Sequence, residues 1–284
     1  MTINVLCIGD VVGRPGRKVL AACLGKVIAD KKVDFVACNA ENAAGGSGLT
    51  VAVYQKLLSY GVDAITLGDH AYRKREIFAT LQSSDRIVRP ANLSAQAIGR
   101  RWTVLPAKSS SCRVAVACIL GQMYMGQHDS PWGAIDNVLA EIPAEVKVRI
   151  VDFHAEASSE KIAIGYHLDG RASVVFGTHT HIPTADARIL EGGTACISDV
   201  GMTGPYDSVL GRRKDRVLSA MTTSMPSHFE IATGDVRLCG ALVAVDAASG
   251  KAVAIERVEV QGPNCEGGPY DRDDGLPQHG GNQH

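Results

Sequence analysis

The chain has 284 residues, 45% hydrophobic and 21% charged, with a formal net charge of -1. That is the profile of an ordinary globular protein long enough to bury a sizeable core, and the balanced charge carries no footprint of a broad nucleic-acid or membrane surface. No stretch approaches the roughly 18 to 20 unbroken apolar residues of a membrane span, and MTINVLCIGD lacks the basic start of a signal peptide.

Ile3 to Gly9 reads as an apolar strand, followed by a turn containing Gly13, Pro15 and Gly16. Val19, Leu20, Cys23, Leu24, Val27 and Ile28 then recur on one helical face. Val33 to Cys38 predicts a second strand, Thr50 the start of a helix, and Asp63 to Leu67 a third strand. This alternation predicts a largely parallel α/β start. Further strands are expected at 102–105, 113–120, 148–153, 172–176, 195–198, 238–245 and 252–260. Helices are expected at 134–139, 158–168 and 211–220, with Ser158 or Ser159 near an N-cap. The stretch from about Gly262 is rich in Gly, Pro and Asp and predicts a disordered tail, leaving one domain at 1–261 and a tail at 262–284. The eight cysteines include no CxxC pair, which argues against structural zinc and for reduced thiols in a cytoplasmic protein.

The strand ends share a feature. The first ends in Asp10, the second in Asn39 with Glu41 and Asn42 close behind, the third in Asp69 and His70. Later strands end in His154 and just before His179 and His181. In parallel α/β sheets, ligands sit beyond the carboxyl ends of the strands. An isolated HxH pair is either a ligand pair or two solvated loop residues, but five strand ends carrying only metal-ligand types point to a metal rim. Mixed oxygen and nitrogen donors suit several transition metals. Seven or more candidates exceed one tetrahedral zinc and are enough for two octahedral ions sharing a carboxylate, a pair used in phosphoryl transfer.

Taken together, GD at 9–10, NAEN at 39–42, GDH at 68–70, DFHAE at 152–156 and GTHTHIPT at 177–184 resemble the calcineurin-like metallophosphoesterases. More narrowly they resemble the YmdB-like branch, whose members are cyclic-nucleotide phosphodiesterases. The resemblance runs from Met1 to about Val260 and includes GMTGPYDSVLG at 201–211. It implies a four-layer α/β/β/α sandwich and a two-metal site, usually iron or manganese. By matched motif, Asp10, Glu41, Asn42 and His181 would hold the first ion, with Glu41 bridging. Asp69, His154 and His179 would complete the second, and His70 would be the acid that protonates the leaving oxygen. His179 and His181 would point to different ions, approaching from one side of an extended segment. The family's third motif is normally GNH, so Asp69 adds a negative charge where an amide is usual.

The expected activity is hydrolysis of 2′,3′- or 3′,5′-cyclic nucleotides by a metal-bound hydroxide. The alternatives are a phosphomonoesterase or nucleotidase on the same site, and a regulatory nucleotide- or RNA-binding protein with little turnover. Charge lends RNA no support, no membrane partner is expected, and a homo-oligomer is left open. Five further readings concern other polar features. Arg14 and Arg17 are expected to be solvated, with phosphate contact as the alternative. AAGGSG at 43–48 is either a phosphate-facing loop or a connector, and Glu156 either orients an imidazole or is simply a polar helix entry. RRKDR at 212–216 reads as a solvated helix face, and Thr203 and Gly204 as neighbours of the substrate by resemblance.

Overall fold

A computed structural model of the chain describes residues 1–108 and 111–263; the expected tail from 264 onward, with Cys265, lies outside them. In chain order the first half contains β1 (Thr2–Ile8), α1 (Gly13–Lys31), β2 (Phe35–Asn39), α2 (Val51–Ser59), β3 (Ala64–Thr66), α3 (Phe78–Ser83), β4 (Ile87–Val88), β5 (Trp102–Pro106), β6 (Arg113–Leu120) and α4 (Pro131–Glu141). The second half contains β7 (Val148–His154), α5 (Ser158–His167), β8 (Val174–Thr178), β9 (Arg188–Ile189), β10 (Ala195–Ile197), β11 (Gly204–Pro205), α6 (Lys214–Thr223), β12 (Val236–Asp246) and β13 (Ala252–Gln261).

Two sheets result. In the first, β1, β2, β3 and β4 run parallel, and β12 pairs antiparallel with β1 while carrying β11 and β13. In the second, β6, β7, β8 and β10 run parallel, flanked by antiparallel β5 and β9. Strand alternation sorts the apolar residues into layers. Val5 and Cys7 of β1 join Phe35, Val116, Ile150 and Phe176 in the core between the sheets. Leu6 and Ile8 face outward onto Leu20 and Leu24 of α1 and Leu57 of α2. On the far side, Val151 and Phe153 of β7 pack with Ile135 and Val138 of α4 and Ile164 of α5. The order is therefore helix, sheet, sheet, helix, as the resemblance implies. Strands covered on both faces explain the near-continuous apolar runs in the sequence.

Several local expectations are corrected. The N-cap of α5 is Ala157, with no side-chain cap from either serine. The sixth helix starts at Lys214 rather than Gly211, because Gly211 lies at φ 89° and Arg212 forms bridges to Val209 and Ile231. Arg17 is buried and donates to the Ala43 carbonyl, tying α1 to the loop after β2. Arg212 leaves the helix face altogether: its guanidinium donates to the Gly46 and Phe229 carbonyls and packs over Gly46 within the 43–48 loop. The short β4, β9 and β11 went unpredicted, since two residues carry no period. The seven described cysteines are free thiols, and among the described residues no helix is long and apolar enough to cross a membrane.

Candidate metal centre

Parallel pairing aligns the C-terminal ends of β1, β2, β3, β7 and β8 on one rim. Asp10, Glu41, Asn42, Asp69, His70, His154, His179 and His181 meet there. One donor from each of Glu41, Asp69, His154 and His179 lies within 4.8 Å of the others. The Nε2 of His154 is 3.1 Å from Glu41 Oε1, 3.1 Å from Asp69 Oδ1 and 3.0 Å from His179 Nδ1. A second group forms around Asn42, whose Nδ2 is 3.4 Å from Asp10 Oδ1, 3.3 Å from Glu41 Oε1 and 3.4 Å from His181 Nε2. Glu41 belongs to both groups. The side chains of Asp10 and Glu41 are 0% and 1% exposed. Converging buried carboxylates are costly unless a cation neutralises them. This donor set fits divalent metal ions. An amide holding an ion here would present its oxygen where Asn42 presents nitrogen, and the two ends are equal in size.

The histidine tautomers follow from partners that can only accept. Thr178 Oγ1 donates to Asp152 Oδ1 (2.6 Å), so it accepts from His154 Nδ1 (2.8 Å) and leaves Nε2 to the donor group. Glu156 Oε2, 3.2 Å from His179 Nε2, leaves His179 Nδ1 facing inward. The Leu210 carbonyl, 3.2 Å from His181 Nδ1, leaves His181 Nε2 facing Asp10. Glu156 thus touches an imidazole, as one of its two readings expected. Gly68 makes room for the cluster: a Cβ there would lie 2.3 Å from Glu41 Oε2 and 2.4 Å from His154 Nε2. Gly68→Ala is expected to weaken metal binding by about 10- to 100-fold, the range for losing groups that orient ligands; competition with a chelator measures it.

One expectation about the HxH pair is corrected. Its residues are not extended, for His179 has φ 90° and His181 φ 64°. Such left-handed conformations cost on the order of 1–3 kcal/mol each in non-glycine residues and persist where the surroundings hold them. The two rings reach different donor groups through a turn rather than through strand alternation. Asp10 accepts from the His179 amide (3.0 Å), which fixes the start of that turn. Thr203, buried, donates its amide to the Asp10 carbonyl and accepts from Val12, clamping the Asp10 loop.

Electrostatics follow the geometry. Burial alone would raise Asp10 and Asp69, but His181 and His154 outweigh it at Asp10, and His154, His70 and His179 at Asp69, so both carboxyls sit below their ordinary values. Burial disfavours charge on His154 too, yet Glu41, Asp69 and Asp10 hold its pKa well above the ordinary value. His179 is pushed down by burial and by His154. These carboxylates therefore favour the protonated His154 ring, a preference that is lost as pH rises through the raised value. A metal held at Nε2 would have to displace the proton favoured there, so binding should release protons and strengthen with pH. Titration calorimetry in buffers of different ionisation enthalpy should show this; buffer-independent heats would contradict it.

The sequence reading missed Asp152, fully buried at the centre of a hydrogen-bond hub. Its Oδ2 accepts from Asn39 Nδ2 (2.9 Å) and from Thr66 Oγ1, and burial pushes its carboxyl up to about 6. A lone carboxylate inside an apolar strand, two residues before His154, was the available signal.

Two stacked mixed sheets with this donor set on their shared rim define a calcineurin-like metallophosphoesterase, a class of metal-dependent hydrolases. The chain belongs to the YmdB-like family, whose description, YmdB-like protein, matches residues 6–258. It is 42% identical over 256 residues to a 2′,3′-cyclic-nucleotide 2′-phosphodiesterase of Bacillus subtilis (strain 168), covering 90% of this chain and 96% of that relative. Among solved structures, a hypothetical protein from Thermus thermophilus superposes with a TM-score of 0.85 at 36% identity, covering 92% of this chain and all of that one (100%). A novel phosphatase of Mycoplasma pneumoniae gives 0.86 at 30% identity, covering 92% and 94%.

Proposed function

We propose that this chain is a dinuclear-metal phosphodiesterase acting on cyclic nucleotides. The observation that carries this is Glu41, buried between two donor groups and shared by both. Asp10, Glu41, Asn42 and His181 would hold the first ion; Glu41, Asp69, His154 and His179 would hold the second. Mixed imidazole, carboxylate and amide donors suit iron or manganese. The chemistry such ions would supply when bound is activation of water and neutralisation of charge on the phosphoryl oxygens. The protein's own part is to fix the donors and to supply a proton. His70 is set for the latter. Its main-chain amide donates to Glu41 Oε2 (2.8 Å), and its Nδ1 meets the outer end of the Asn42 amide (2.8 Å), holding the ring against the Glu41 carboxylate. The side chain is 25% exposed, so a substrate oxygen can reach it, and it protonates the departing sugar oxygen.

The relative from Bacillus subtilis favours a 2′,3′-cyclic substrate. A 3′,5′-cyclic substrate and a linear phosphomonoester are the competing substrates on the same site. Free thiols at the seven described cysteines support a cytoplasmic location. The test pairs elemental analysis with turnover of 2′,3′-cyclic, 3′,5′-cyclic and linear nucleotides side by side. Two ions per chain and fastest turnover of a cyclic diester are expected. A fully loaded protein holding one ion would overturn the dinuclear reading, and preference for linear monoesters would favour the phosphatase reading.

A further inference from the structure

The turn that carries His179 and His181 has a second anchor, made by residues outside the donor groups. Thr180, between the two histidines, donates both its amide (3.1 Å) and its hydroxyl (2.6 Å) to Asp199 Oδ2. Lys161, on α5, places Nζ 2.8 Å from that same oxygen and 3.2 Å from Thr180 Oγ1. The side chains of Lys161 and Asp199 are 3% and 1% exposed. The other oxygen of Asp199 accepts from the Gly201 amide (2.8 Å). The segment after Asp199 also grips the far end of the turn, since the Met202 amide donates to the His181 carbonyl (3.0 Å). Thr184 closes it: its amide donates to the Asp199 carbonyl (3.0 Å), and its hydroxyl accepts from the Asp199 amide (3.0 Å).

A buried ion pair is a poor device for stability alone, because desolvation offsets its attraction, and apolar residues of similar volume often serve as well. This pair does something an apolar pair cannot. It supplies a charged acceptor that takes two hydrogen bonds from the residue flanked by two left-handed histidines. Metal sites depend on such outer contacts to keep ligands in place.

We propose that Lys161 and Asp199 are positioning residues that hold the 179–181 turn in its ligand-presenting shape, so that one buried ion pair preorganises both ion sites at once. This rests on the reading of His179 and His181 as ligands to different ions. The two sites should therefore weaken together when the pair is removed.

The test replaces both members, Lys161→Met with Asp199→Asn, because removing one alone strands a buried charge. Manganese loss to a chelator is followed in the double variant, in Thr180→Val, which keeps the pair and removes only the hydroxyl link, and in Leu24→Ala, a core control. The double variant should lose both ions about 10- to 100-fold faster than the unaltered protein. Thr180→Val should shift the same way, and Leu24→Ala should retain metal normally despite lower thermal stability. Retention equal to the unaltered protein in both the double variant and Thr180→Val would overturn the proposal. So would equally fast loss in Leu24→Ala, which would make the effect general instability. If the double variant does not fold, Thr180→Val decides alone. Absence of manganese binding by the unaltered protein would instead sink the metal reading on which the proposal stands.

Discussion

Asp69→Asn is expected to lose metal to a chelator at least about tenfold faster than the unaltered protein, since affinity at such sites follows the count of charged ligands. Asp69 Oδ1 lies 3.1 Å from His154 Nε2 and 3.6 Å from His179 Nδ1, within the donor group around His154. Burial works against its charge, but His154 and the other histidines hold its pKa well below the carboxylate range. The charge is thus complete above the ordinary carboxylate pKa and would fade only as pH falls through the much lower folded value. With Asp10, Glu41 and Asp69 ionised, three negative charges face the proposed pair of ions; asparagine leaves two. The same carboxylate supports the proton on His154, so the variant should also release fewer protons on binding metal. A more positive site pulls harder on a water proton, which moves the acid limb of the pH–rate profile to lower pH and raises the rate near pH 7. Unchanged chelator resistance with an unshifted profile would remove Asp69 from the site.

Much of this rim was legible in the sequence because its chemistry interrupts apolar strands. Asp10, Asn39, Asp69, His154 and the 179–181 pair each follow a run that packs on both faces, so strand ends and donor residues could be found together. The layer order was legible only through the resemblance; apolar runs alone do not say which faces meet. What stayed hidden depends on contacts between distant segments. Lys161 and Asp199 are separated by 38 positions and look like an ordinary helix lysine and a loop aspartate until β8 and β10 become neighbours. Asp152 lay inside a quoted motif, but its partners Asn39, Thr66 and Thr178 come from three other strands. Arg17 and Arg212 read as solvated because a guanidinium on carbonyl oxygens needs no nearby carboxylate in sequence. The left-handed backbone at His179 and His181 has no glycine or asparagine to announce it; it goes with hydrogen bonds that the Asp10 and Asp199 carboxylates accept from the His179 and Thr180 amides.

His70→Ala should slow hydrolysis of a cyclic nucleotide by about 10²- to 10⁴-fold, the usual contribution of a general acid, while leaving metal content nearly unchanged. Retention is expected because the contact of residue 70 with Glu41 Oε2 is made by the main-chain amide, which alanine keeps. Only the imidazole is lost, with its contact to the Asn42 amide and its approach to Asp69 Oδ2 at 3.5 Å. A sugar alkoxide is a poor leaving group and needs a proton as its bond to phosphorus breaks. A nitrophenolate leaves without one. The penalty should therefore shrink steeply for a nitrophenyl phosphodiester. Equal losses on both substrates, with metal still bound, would mean that His70 orients the phosphate instead of protonating the leaving oxygen. Loss of metal from the variant would carry a different message: the Asn42 amide depends on His70 for its orientation, and the histidine acts through the first ion's donor group.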